Sequence, residues 1–134
     1  RNYILLIMIK GFDKQTETLS DYERKTMVPV MVRSLAGHIG KAAAITNKYI
    51  CSRMRLCGYQ ISDARVRKIV NHIRTNGLVQ CLIATSGGYY VAETEEELKE
   101  YEDSLLGREQ AIREVRLSIE RQRKIKYHKE PWQD

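Results

Sequence analysis

The sequence predicts a mainly α chain carrying one small β-hairpin, an α+β protein that ends in a long helix. Three observations carry that expectation. Ser20, Ser62 and Thr94 each stand at the head of a stretch with helical apolar spacing or with a Glu three residues on, as helix caps do. Two runs enriched in Val, Ile and Tyr flank Thr85-Ser86-Gly87-Gly88, a hairpin signal. Beyond Thr94 only Gly107 weakens a helical stretch before Pro131 forbids further continuation.

Taken in order, Ser20 and Glu23 form a capping box that opens a first helix. Val28, Met31, Val32, Leu35 and Ile39 follow as one apolar stripe. Pro29 removes a backbone bond, so this helix either bends there or begins its regular part near Val28, and Gly37 and Gly40 close it. Thr46 caps a short second helix, Asn47 to Met54, that turns Ile50, Cys51 and Met54 inward. Arg55 to Ile61, with Gly58, reads as a turn. Ser62 caps a third helix from Asp63 to Thr75, which Asn76-Gly77 ends. Leu78 to Ala84 and Tyr89 to Ala92 are the hairpin strands, and Ala44-Ile45-Thr46 adds a very short strand against them. Thr94 and Glu97 then cap a helix expected to reach Lys126.

The expected organisation is an extension over residues 1–19, a domain over 20–93 and a carboxy-terminal helix over 94–134. The apolar run Tyr3 to Ile9 is an edge strand or a dimer contact, and Met8-Ile9-Lys10-Gly11-Phe12 makes an alternative start.

Composition narrows the function. At 134 residues, 43% hydrophobic and 30% charged, the chain is sized for one domain with a real core. No apolar run approaches the ~20 residues needed to cross a bilayer, and no small-residue cleavage site follows Tyr3 to Ile9. Cys51, Cys57 and Cys81 are odd in number and lack C-x-x-C spacing, so a cytoplasmic, reducing setting is expected, with no membrane partner. His38, His72 and His128 lack metal spacing. No nucleophile–base pair, paired carboxylate or Gly-rich phosphate loop stands out, so neither an enzyme nor a cofactor or metal is expected.

The formal net charge is +6, and its distribution matters more than its size. Lys41 to Ala92 holds eight basic residues and one acid, a charge of +7 over 52 residues, whereas the stretch from Thr94 onward is −2. A polyanionic partner therefore belongs to the middle of the chain.

At about 100° per residue the third helix separates into two faces. Val66, Ile69, Val70 and Ile73 form the inward one. Ala64, Lys68, Asn71 and Thr75 lie opposite, flanked by Arg67 and Arg74 on one side and Arg65 and His72 on the other. Such a face fits the DNA major groove, about 12 Å wide, where Arg matches guanine edges, Asn matches adenine and Lys neutralises phosphate. Residues near the amino end reach deepest. Arg65, Lys68 and Asn71 are therefore the expected base contacts. Arg67, His72 and Arg74 are the expected phosphate contacts, joined by Thr46, Asn47 and Lys48 at the start of the second helix, whose free backbone N–H groups can hold a phosphate. The hairpin tip, Thr85, Ser86, Gly87 and Gly88, is small enough for a neighbouring groove or backbone but carries no basic residue.

The stretch Ala44 to Val91 resembles the winged helix-turn-helix family. The carrying residues are Ala44-Ile45-Thr46-Asn47-Lys48-Tyr49-Ile50, then Ser62-Asp63-Ala64-Arg65-Val66-Arg67-Lys68-Ile69-Val70, then Asn76-Gly77-Leu78 and Gly88-Tyr89-Tyr90. The passage from two tyrosines through Thr94-Glu95-Glu96-Glu97 into a long helix is similar to the wing-to-dimerisation-helix join of PadR-like regulators. The chain as a whole resembles small proteins of phages and mobile elements. Arg55 to Ile61 departs from the tight turn of phage repressors, so no docking angle carries over. The resemblance implies double-stranded DNA as partner and sequence-specific binding, with transcriptional regulation as the expected role. An accessory factor in phage or mobile-element replication or recombination is one alternative. A winged-helix protein-interaction scaffold is the other.

In the last helix Leu98, Leu105, Ile112 and Ile119 recur every seven residues, with Tyr101 and Val115 between them and Arg108 and Gln122 interrupting that second row. Six acids lie between Glu95 and Asp103 and eight bases between Arg108 and Lys129, a segregation that favours antiparallel pairing. The seam is expected to form a homodimer. The alternatives are a helix that covers its own domain, or one that breaks at Gly107 into an internal pair.

Overall fold

The computed structural model describes residues 16–128. The expectations for Tyr3 to Ile9, for Met8 to Phe12 and for Pro131 lie outside the described residues. The chain divides between Thr94 and Glu95 into two compact units.

In the first unit the helix start is built as a reciprocal cap. The Ser20 N–H donates to Glu23 Oε1 at 2.8 Å and the Glu23 N–H donates to Ser20 Oγ at 3.1 Å. A π-helical turn, Glu23–Met27, then leads into α1, Val28–Leu35, with the Val28 N–H donating to the Glu23 carbonyl five residues back. The widened turn has a physical cause in Pro29, whose ring would strike the carbonyl four residues earlier in a continuous α-helix. The regular helix begins at Val28, where the proline occupies the first turn and its missing N–H costs nothing. Met27, Val28, Met31 and Leu35 are buried, but Ile39 is 57% exposed and lies off the stripe. The helix ends at Leu35, and residues 38–40 are instead drawn alongside the hairpin, with Val91 N–H donating to the His38 carbonyl at 2.7 Å and Gly40 N–H to the Val91 carbonyl at 2.8 Å.

After a 3-10 turn, Lys41–Ala43, Ile45 exchanges two backbone hydrogen bonds with Tyr89, at 3.0 and 2.7 Å. Of the strand expected over Ala44-Ile45-Thr46, the structure forms this single antiparallel bridge at Ile45. The helix α2, Asn47–Leu56, starts at Thr46, whose Oγ1 accepts the Tyr49 N–H at 3.1 Å. The helix α3, Asp63–Thr75, starts at Ser62, whose Oγ accepts the Arg65 N–H at 3.2 Å. At its end Leu78 N–H reaches the Ile73 carbonyl and Gly77 N–H the Arg74 carbonyl, the paired bonds of a Schellman stop. Gly77 supplies the left-handed residue this stop requires, with φ +63. The bonds of Tyr59 to Met54 and Gly58 to Arg55 close α2 in the same manner.

The first hairpin strand is shorter than expected: β1 is Leu82–Thr85, because residues 76–81 are consumed by turns and Cys81 adopts a left-handed φ of 64. β2 is Gly88–Val91, antiparallel to β1, with Thr85 opposite Gly88. Val66, Ile69, Val70 and Ile73 are at most 1% exposed and anchor a core shared with Met31, Leu35, Ile50, Met54, Val79 and Leu82.

Gly88 is where the hairpin and the Ile45 bridge approach most closely. Its φ is +122, and a Cβ there would stand 2.5 Å from the Ile45 carbonyl oxygen, so the two strands close only because no side chain intervenes. Gly88→Ala is expected to lower stability by about 2–3 kcal/mol. Chemical denaturation checks it, and a loss below about 0.5 kcal/mol would mean the Ile45–Tyr89 pairing tolerates displacement.

The second unit contains α4, Glu95–Tyr127, a 33-residue helix unbroken at Gly107 and with no buried residue. Leu105, Ile112, Val115 and Ile119 of the expected seam are exposed, while Leu98 and Tyr101 are half-buried.

Candidate nucleic-acid interface

The rotation of α3 is fixed by its four core residues, and that decides what the opposite face presents. Arg67, Lys68, Asn71 and Arg74 come together along one side of a cleft of about 550 Å³, facing Ala84, Thr85 and Tyr89 of the hairpin, with Thr16 also at its wall. The lining contains three cations and no carboxylate. Arg67 and Asn71 are exposed, Lys68 and Arg74 half-buried. Among the described residues neither Arg67 nor Lys68 forms an ion pair with an acid, so their charge remains available to a ligand.

The hairpin is held in register with α3 by one amide. The Tyr89 hydroxyl donates to Asn47 Oδ1 at 2.9 Å, and Asn47 Nδ2 donates to the Asp63 carbonyl at 2.9 Å. Asn47 therefore joins the start of α2 to the start of α3 and to β2. Burial pushes the Tyr89 phenol above its ordinary pKa, while the charges of Arg67 and Arg74 pull it the other way. The phenol stays protonated at neutral pH, as a hydrogen-bond donor must.

One sequence assignment changes in the light of these contacts, that of Arg65 as a base contact. Arg65 does not face the cleft. Its Nε donates to Glu23 Oε2 at 2.8 Å and its Nη2 to Glu23 Oε1 at 2.7 Å, while its Nη1 and Nη2 also donate to the carbonyls of Glu17 and Thr18. Both side chains of this ion pair are 11% exposed. A guanidinium so committed is not available to a guanine edge. The signal was present in the sequence: Arg65, Ile69 and Ile73 share one i,i+4 row, and the last two are core. Asn47 spends its side-chain amide within the fold and Thr46 its hydroxyl on the expected cap, which leaves the phosphate reading at this helix start to the backbone N–H groups. At that helix start Lys48 remains exposed. His72 lies outside the cleft lining, its Nδ1 3.2 Å from the Asn76 side-chain nitrogen at the end of α3.

At the hairpin tip Thr85, Ser86 and Gly87 are exposed and Gly88 is buried, and Thr85 Oγ1 accepts the Gly87 N–H at 3.1 Å. The tip is thus a compact, uncharged turn. Tyr89 and Glu23 are the two residues whose roles the sequence reading missed. Period-2 alternation opposite the buried Tyr90 places Tyr89 on the cleft side, and nothing local marks Glu23 as more than a capping residue.

Among the described residues no group of three or more His, Cys, Asp and Glu is arranged to hold a metal ion, and no helix is long and apolar enough to cross a membrane. Set against known protein families, curated proteins and solved structures, the chain finds no match in any of the three.

Proposed function

We propose that the unit ending at Thr94 binds duplex DNA as a winged helix-turn-helix domain, with α3 in the major groove and the hairpin against the adjoining backbone. The element order supports the reading: helix, helix, helix, hairpin, with Ile45 ahead of the second helix bridged to Tyr89 of the second hairpin strand. The observation that carries it is the cleft itself, where Arg67, Lys68 and Arg74 converge with Asn71 and no acid intervenes. Lys68 and Asn71 take the base edges, and Arg67 and Arg74 take phosphates, with Lys48 at the start of α2 as a further phosphate contact. Three thiols free of disulfides suit a reducing cytoplasm. Sequence-specific binding of this kind serves transcriptional regulation, and the same surface serves an accessory factor of replication or recombination.

Contact with ~4–6 phosphates predicts that log affinity falls with log salt at a slope near −0.9 per phosphate. Titration of a labelled duplex across a salt series measures it. A flat response, or no binding at low salt, would overturn the reading in favour of a protein-docking scaffold. Selection of bound sites from a random duplex pool then defines the preferred sequence.

A further inference from the structure

We propose that α4 pairs antiparallel with α4 of a second copy of this chain, in one defined register. The pairing is independent of whether the first unit binds DNA. Two residues, Arg108 and Gln122, interrupt the apolar seam. Arg108 Nη2 donates to Ser104 Oγ at 3.4 Å, and Gln122 Nε2 donates to Ser118 Oγ at 3.0 Å. Each interrupting side chain is folded back one turn onto a serine flanking the seam, in which Leu105, Ile112, Val115 and Ile119 are exposed.

Antiparallel packing sets one row of a heptad seam against the other. In the register centred near Gln110, Leu105 meets Val115 of the second copy and Tyr101 meets Ile119. Arg108 then lies beside Ile112 and Gln122 beside Leu98, so no polar residue meets its own copy. A parallel pair would stack Arg108 on Arg108 and Gln122 on Gln122, and a buried pair of like charges is costly.

Charge selects the same arrangement. The row flanking the seam reads Glu95, Glu102, Glu109, Arg116, Arg123. Run antiparallel against itself, it sets Glu95 beside Arg123 and Glu102 beside Arg116, twice each by symmetry, and only Glu109 meets itself. Run parallel, it faces the opposite flank, Glu97, Ser104, Ala111, Ser118 and Ile125, which offers no cation. The occupant of the seam is therefore a second α4, reversed.

Analytical ultracentrifugation of the full chain tests this, with three variants and helix content checked by circular dichroism. Wild type is expected at twice 15.6 kDa at micromolar concentration. Ile112→Asp is expected to abolish the dimer. Glu102→Lys places like charges together at two symmetric sites and should weaken the dimer about tenfold, and adding Arg116→Glu should restore it. Residues 102 and 116 are about 21 Å apart along one helix, so rescue cannot arise within a chain or in a parallel pair. A single-chain mass for wild type, a dimer indifferent to Ile112→Asp, or a double variant no tighter than Glu102→Lys would each overturn the proposal. DNA binding is read in a separate titration, so loss of that reading leaves this one standing.

Discussion

Arg65→Ala is expected to cost about 3–5 kcal/mol of folding stability, the usual consequence of leaving one partner of a buried ion pair alone. The Glu23 carboxylate accepts three hydrogen bonds, from the Ser20 N–H and from two nitrogens of Arg65, and the fork of Arg65 also pins the carbonyls of Glu17 and Thr18. Removing the guanidinium strands that carboxylate, frees the chain ahead of α1 and loosens the joint between the π-turn and α3. The hydrogen bond from Arg65, with help from Ser20, holds the Glu23 pKa below its ordinary value in spite of burial. A carboxylate whose pKa is depressed by folding is bound more tightly by protons in the unfolded chain. Its contribution is complete above the ordinary carboxylate range and is lost as pH falls through the lowered folded value. Urea denaturation of wild type, Arg65→Ala and Glu23→Gln across acid pH measures this: the wild-type advantage should shrink as pH falls, with wild type approaching Glu23→Gln while Arg65→Ala keeps the loss of its bonds to the Glu17 and Thr18 carbonyls. A stability loss below about 1 kcal/mol at neutral pH, accompanied by altered base preference, would return Arg65 to the base-reading role expected from the sequence.

The second large effect concerns affinity. Arg67→Ala combined with Lys68→Ala should weaken duplex binding by about 10–100-fold, each cation contributing on the order of 1 kcal/mol through a charge-assisted phosphate or base contact. The salt slope should fall by about one for each phosphate contact removed. Stability should change by no more than about 0.5 kcal/mol, since neither side chain has an acidic partner within the described fold. Fluorescence anisotropy gives the affinity, and thermal melting guards against unfolding. Binding that survives the double substitution unchanged would remove α3 from the interface.

These two predictions divide along the boundary between local and non-local information. Helix starts and stops were readable because caps act within three or four residues: Ser20, Thr46 and Ser62 each hold the N–H three positions on, and Asn76-Gly77 ends α3 where the left-handed residue falls. The core face of α3 was equally readable, since its four apolar residues repeat at helical spacing. The length of β1 and the fate of Ile39 were not. The turns over residues 76–81 and the left-handed Cys81 shorten β1, and Ile39 is drawn off the stripe by pairings of residues 38–40 with Val91 that join positions 51 to 53 apart.

The fate of Arg65 shows the limit most clearly. Its position on the helix flank was legible, but a flank residue faces solvent or a neighbour according to what the rest of the chain brings there. A carboxylate 42 positions earlier decided the matter. By itself the sequence determined the order of the elements, the inward face of α3 and the concentration of positive charge in the middle of the chain, because hydrogen-bond geometry and apolar periodicity are written in neighbours. Only the tertiary structure decided which cations are committed, because a buried charge takes whatever partner folding sets beside it, and that pairing removes Arg65 while Arg67 and Lys68 have no acidic partner among the described residues.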